Sequence, residues 1–155
     1  MPISPSNEIR KQILLSAARP RVWRAISSAA EFGQWFGVRL QGEFQANVVT
    51  FGQITHPDYE HLKFEMHVVE IRPERYFSYR WRPYAIDANK DYSAEPMTLV
   101  EFTLDDAPDN NRTLLTIVES GFDGIPEARR AEAFRMNDGG WSAQLENIAQ
   151  HVTGS

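Results

Sequence analysis

Apolar and polar residues alternate strictly through the middle of the chain. Leu62, Phe64, Met66 and Val68 alternate with Lys63, Glu65 and His67. A period of two is what a half-buried strand requires, so the pattern predicts a strand over 62–71. Past the turn residues Arg72-Pro73-Glu74-Arg75, a strand over 76–82 places Phe77, Tyr79 and Trp81 on one face. Val100, Phe102 and Leu104 share a face over 98–104, and a last strand over 112–120 is closed by Gly121. Weaker patterns predict strands over 8–16, carrying Ile9, Ile13 and Leu15, and over 47–54. The cluster from Asp105 to Asn111 reads as a turn, and 83–96 as a polar loop longer than ordinary hairpin connections.

Elsewhere the period changes. Arg19-Pro20 stops the first strand, and Val22, Trp23 and Ile26 follow at helical spacing, Pro being tolerated in a first helical turn. A short helical segment over 31–35 is ended by Gly37. After Pro126-Glu127, the residues Ala131, Phe134, Trp141, Leu145, Ile148 and Val152 form one apolar stripe of a long helix. Gly139-Gly140 lies inside it. Two Gly in place of two Ala cost a helix interior roughly 2 kcal/mol, so the pair predicts either a break or a very close approach. Strand, helix pair, antiparallel strands and long helix together predict an α+β fold with the helix laid across one sheet face.

Composition narrows the class. A chain of 155 residues fits one domain, expected over 8–153 after a loose tail at 1–7. Apolar residues at 42% fill a core, and 16 basic against 21 acidic residues argue against a phosphate-tracking nucleic-acid binder. No run reaches the roughly 18 apolar residues of a membrane span, and the first ten residues lack a secretory apolar stretch. With Cys at zero there is no disulfide, thiolate nucleophile or Cys-ligated metal, and a reducing cytoplasm is the expected compartment.

The stretch PRVWRAISSAAEFGQWFG (20–37), then ESGF (119–122), then GGWSAQLENIA (139–149) on the last helix resemble, in that order, homologues of the heat-shock-protein-90 ATPase activator. These belong to the START-like (SRPBCC) superfamily, with pollen allergens and polyketide cyclases. The resemblance implies a helix-grip fold, a curved antiparallel sheet wrapped around a C-terminal helix with a cavity between them. It also implies three roles: binding of apolar small molecules, catalysis of the cyclase or hydratase kind, and chaperone binding. The eukaryotic activators carry an additional N-terminal domain, for which this length leaves no room.

Within that frame, Trp35, Phe36, Phe51, Phe64, Met66 and Phe77 fall on inward faces, as do Tyr79, Trp81, Phe102, Ile117, Trp141 and Leu145. They fill a core or line a ligand cavity. Glu119 shares the inward face of Leu115 and Ile117, where desolvation raises a carboxyl pKa unless a cation such as Arg80 approaches. It is the candidate polar anchor, or general acid or base, or else it ends the strand at the sheet's rim, solvated and without a role. The run His56-Pro57-Asp58-Tyr59-Glu60-His61 has metal-ligating residue types but sits in a loop that fixes no common face. His67 should face solvent, and His151 sits where a helix C-terminus favours a cation. No catalytic triad, nucleophile elbow or phosphate loop is present, and no metal or cofactor is implied. The loop 83–96, with Tyr84, Ile86 and Tyr92, is either a surface loop or a lid, and Asp87, Asp91 and Glu95 give it charge. The expected function is binding of a small apolar or aromatic molecule without chemistry.

Overall fold

The computed structural model describes residues 7–55, 57–85, 89–108 and 111–153. The predicted tail, except Asn7, lies outside the described residues, as do His56, Ile86, Asp87 and the Asp109-Asn110 part of the predicted turn. The strands are β1 (Glu8–Leu15), β2 (Val38–Leu40), β3 (Val49–Ile54), β4 (Lys63–Arg72), β5 (Tyr76–Trp81), β6 (Thr98–Asp106) and β7 (Thr113–Ser120). Helices α1 (Arg19–Ser27) and α2 (Ala29–Phe36) separate β1 from β2, and α3 (Glu127–Thr153) follows β7 after a 3-10 turn at Phe122–Gly124. All strands join one sheet in the order β1-β7-β6-β5-β4-β3-β2, every pairing antiparallel.

Alternation sets the inner face. Phe64, Met66 and Val68 of β4, Phe77 and Tyr79 of β5, Val100, Phe102 and Leu104 of β6, and Leu115 and Ile117 of β7 are all buried. They meet Trp141, Leu145, Ile148 and Val152 of α3 and Phe32 and Trp35 of α2 in one core. No described helix is long and apolar enough to cross a membrane.

Local chemistry sets the helix ends. The Ser28 hydroxyl caps α2 by accepting from the Glu31 N–H. Gly37, in the left-handed region at φ 92°, ends it and turns the chain into β2. Gly33 is required by that return, since a Cβ there would lie 2.2 Å from the Val38 carbonyl oxygen.

Three expectations need correction. Helix α3 runs unbroken through Gly139-Gly140, and a Cβ at either would meet nothing within 4 Å, so the pair marks neither a break nor a close approach. Anchoring on both sides holds the helix through them, since tertiary packing supplies most helical stability. On the stripe of α3, Ala131 is exposed and Ala133 is buried instead. Phe51 is 51% exposed, while its neighbours Thr50 and Gly52 are buried. Pairing decides this: Thr50 lies opposite Met66 and Gly52 opposite Phe64, so the inward register of β4 dictates that of β3. That inward position takes a glycine because a Cβ there would lie 2.6 Å from the Arg39 carbonyl oxygen and 2.9 Å from the Leu40 side chain of β2.

Candidate functional site

An open cleft of about 660 Å³ lies where β3, β4 and β5 end near α3. Phe36, Phe64 and Trp81 supply rings, Ile54 and Leu62 aliphatic surface, and Asn137 an amide. Lys63, Phe64 and Glu65 all line it, as do Trp81 and Arg82. Successive strand residues point to opposite faces, so the cleft reaches around the rim of the sheet. Phe51 therefore borders it from its outward position. A recess of about 140 Å³ adjoins it, lined by Phe36, Trp81, Asn137, Gly140, Trp141 and Gln144. Phe36, Trp81 and Asn137 belong to both spaces and form the waist between them.

Part of the long loop forms the outer wall, through Tyr84, Ala85, Asp91, Tyr92 and Ser93. Two arginines fasten it. Arg129 of α3 donates to Glu95 at 2.8 and 2.5 Å and to the carbonyls of Pro83 at 2.8 Å and Tyr84 at 3.4 Å. Its guanidinium also lies 5.0 Å from the Tyr92 ring centroid. The hydrogen bond from Arg129 holds the Glu95 carboxyl below its usual range. Arg82 donates to Glu65 at 3.2 Å and to the Ser93 carbonyl at 3.3 Å. Its Nε is buried with no partner among the described residues. Glu65 also bonds His67, the first cause of its lowered pKa.

Behind the waist lies Glu119, fully buried. Its Oε2 accepts from Trp81 Nε1 at 2.7 Å and the Thr98 hydroxyl at 2.6 Å. Its Oε1 accepts from Asn137 Nδ2 at 2.9 Å and Trp141 Nε1 at 2.8 Å. Desolvation pushes the carboxyl pKa up, and the four hydrogen bonds oppose it without cancelling it. All four donors are uncharged, and Arg80 is exposed rather than turned toward the carboxylate. Nearby, the buried Tyr79 hydroxyl has no partner among the described residues, and burial raises its pKa well above the ordinary value, with the Glu119 charge adding to the rise.

The structure thus divides the sequence-derived candidates. Phe36, Phe51, Phe64, Trp81 and Trp141 border the cleft or its recess. Trp35, Met66, Phe77, Tyr79, Phe102, Ile117, Glu119 and Leu145 are buried and line neither. Trp35 is spent on structure, its N–H donating to the Ala25 carbonyl at 2.9 Å. Asn137, Gln144, Arg82 and Arg129 escaped the sequence reading. Asn137 had one available signal: it lies four residues before Trp141, hence on the same helix face. His151, in the last turn of α3, meets Glu31 at 2.9 Å. Among the described residues, no group of three or more His, Asp or Glu could hold a metal ion.

A curved antiparallel sheet gripping a long C-terminal helix, with a cleft between them, defines the helix-grip class. Residues 16–153 match the family described as "Activator of Hsp90 ATPase homolog 1-like protein", and the chain belongs to that family. No curated protein matches significantly. Among similar solved structures is DynU16, described as a putative protein in the dynemicin biosynthetic locus, at 21% identity and TM-score 0.72. The match covers 97% of this chain and 48% of DynU16, so this chain spans about half the length of that protein. MLL2253 from Mesorhizobium loti matches at 19% identity and TM-score 0.72, over 93% of this chain and 95% of its own. The Aha1 dimer from Colwellia psychrerythraea matches at 14% identity and TM-score 0.67, over 94% and 95%. At these identities the likeness concerns the fold.

Proposed function

We propose that this protein binds a small apolar or aromatic molecule in the cleft between α3 and the ends of β3–β5, without transforming it. The observation that carries this reading is the cleft of about 660 Å³, bordered by the rings of Phe36, Phe64, Trp81 and Tyr92. Its size and its mixture of apolar surface with a few polar groups suit a drug-sized ligand. Against catalysis stands the state of Glu119. A general acid or base must reach the proton it moves, and both Glu119 oxygens are engaged by protein donors with no exposed surface.

Trp81 and Trp141 border the two spaces and report occupancy. Titration with a library of apolar aromatics, followed by tryptophan fluorescence and thermal shift, should give saturable quenching together with a raised melting temperature. Trp81→Phe should remove most of the quenching. A library that produces neither signal overturns the reading.

A further inference from the structure

The waist between cleft and recess carries one polar group whose orientation is dictated from behind. Asn137 borders both spaces, and its Nδ2 donates to Glu119 Oε1 at 2.9 Å. An ionised carboxylate accepts and cannot donate, and an indole N–H donates and cannot accept. Oε1 already takes the Trp141 N–H at 2.8 Å, and Oε2 takes Trp81 at 2.7 Å and Thr98 at 2.6 Å. The amide of Asn137 must therefore turn its NH2 toward Glu119. A proton arriving on this carboxyl is accommodated at Oε2, because the Thr98 hydroxyl can rotate to accept it, and the Oε1 contacts then stay as they are. Oδ1 is the other arm of the same planar amide and has no partner among the described residues.

We infer that Asn137 Oδ1 is a fixed hydrogen-bond acceptor for the ligand. The site accordingly selects ring-bearing molecules that carry a hydroxyl or N–H donor over those offering only acceptors at that place. This rests on the binding function proposed above and adds the polar half of the specificity. The carboxylates that also line the cleft are already engaged by the protein, Glu65 by His67 and Arg82 and Asp91 by the Ser93 N–H.

The test is calorimetric titration of the full chain with naphthalene, 1-naphthol and 1-methoxynaphthalene. Wild type should bind 1-naphthol about fivefold more tightly than 1-methoxynaphthalene, the effect of one neutral hydrogen bond. Asn137→Leu keeps the volume and removes the acceptor, so the two affinities should converge. Asn137→Ala serves the same purpose if circular dichroism shows that the Leu variant is not folded. Equal affinities in wild type, or a preference that survives either substitution, overturn the role of Asn137 while leaving the binding function intact. Failure of all three compounds to bind removes the binding function itself, and this inference with it.

Discussion

Trp81 on β5 and Trp141 on α3 stand 5.7 Å apart, ring centroid to ring centroid, and donate to different oxygens of the Glu119 carboxylate. The division is systematic. Oε2 takes its hydrogen bonds from the sheet, through Trp81 and Thr98, and Oε1 takes its own from the helix, through Asn137 and Trp141. One side chain thus joins helix to sheet through four hydrogen bonds, which are roughly twice as strong as neutral ones whenever the carboxyl is ionised.

Trp141→Ala should destabilise the protein by about 3–5 kcal/mol, the usual effect of truncating a buried Trp. Trp141→Phe keeps most of the packing and removes one donor to a buried carboxylate, with an expected loss of about 1–3 kcal/mol. Urea unfolding of both variants measures the two contributions. Equal stability of the Phe variant and wild type would show that the indole N–H contributes nothing.

Glu119 should make stability fall as pH rises. Its folded-state pKa lies above the ordinary 4.5, so the unfolded chain releases this proton first. The contribution is fully present below pH 4.5 and is lost as pH rises through the folded value. Glu119→Gln should remove this slope, visible as the difference between wild-type and variant urea midpoints from pH 4 to pH 8.

Glu31 should act with the opposite sign. Desolvation raises its pKa, but hydrogen bonds from His151, Arg21 and Arg24, with the Arg21 charge, outweigh that and lower it from 4.5 to about 2. Its stabilisation is present above pH 4.5 and is lost as pH falls toward 2. The displacement corresponds to at most on the order of 3 kcal/mol, reduced by solvent around the exposed Arg24. Glu31→Gln should flatten the acid limb of the stability curve, which denaturation between pH 2 and pH 6 would reveal.

Arg129→Ala should loosen the cleft wall. The Arg129–Glu95 pair is mostly buried, with side chains 13% and 10% exposed, so the loss should be about 2 kcal/mol, between surface and buried pairs. The Glu95 N–H, bonded to the Tyr92 carbonyl at 2.9 Å, should exchange with deuterium faster than in wild type. Unchanged protection there would mean the loop is held by other contacts.

Two glycines in helices should respond oppositely to Ala. Gly33→Ala forces a methyl within 2.2 Å of the Val38 carbonyl oxygen and must move backbone. Gly139→Ala enters open space and should stabilise α3 by about 1 kcal/mol, the helix-propensity difference. Melting temperatures should fall for the first and rise for the second.

The sheet was legible because its central strands alternate cleanly: the strand expected over 62–71 is found at Lys63–Arg72, and that over 76–82 at Tyr76–Trp81. Strand β2 was missed, since three residues are too few to show a period. Strand β3 was found with Phe51 on the wrong face, because Val49 and Phe51 offer as apolar a face as their neighbours until β4 fixes the register. For Glu119 the alternation allowed either burial beside Leu115 and Ile117 or a solvated place at the strand's end, and the structure buries it. Its partners were not legible: Trp81, Thr98, Asn137 and Trp141 come from three elements whose convergence depends on how α3 crosses the sheet. The cleft's wall was hidden for the same reason, since Arg129 and Glu95 are 34 positions apart and meet only through tertiary structure.

The glycine pair divides α3 into two stretches buried to unequal depth. Beyond it, Trp141, Leu145, Ile148 and Val152 are buried, whereas before it only Ala133 is fully so. Regions with few buried apolar contacts open at lower free energy than the global transition, and the glycines weaken the helix where the two halves meet. The half bearing Arg129 and Asn137 should therefore exchange its amides before the half bearing Trp141.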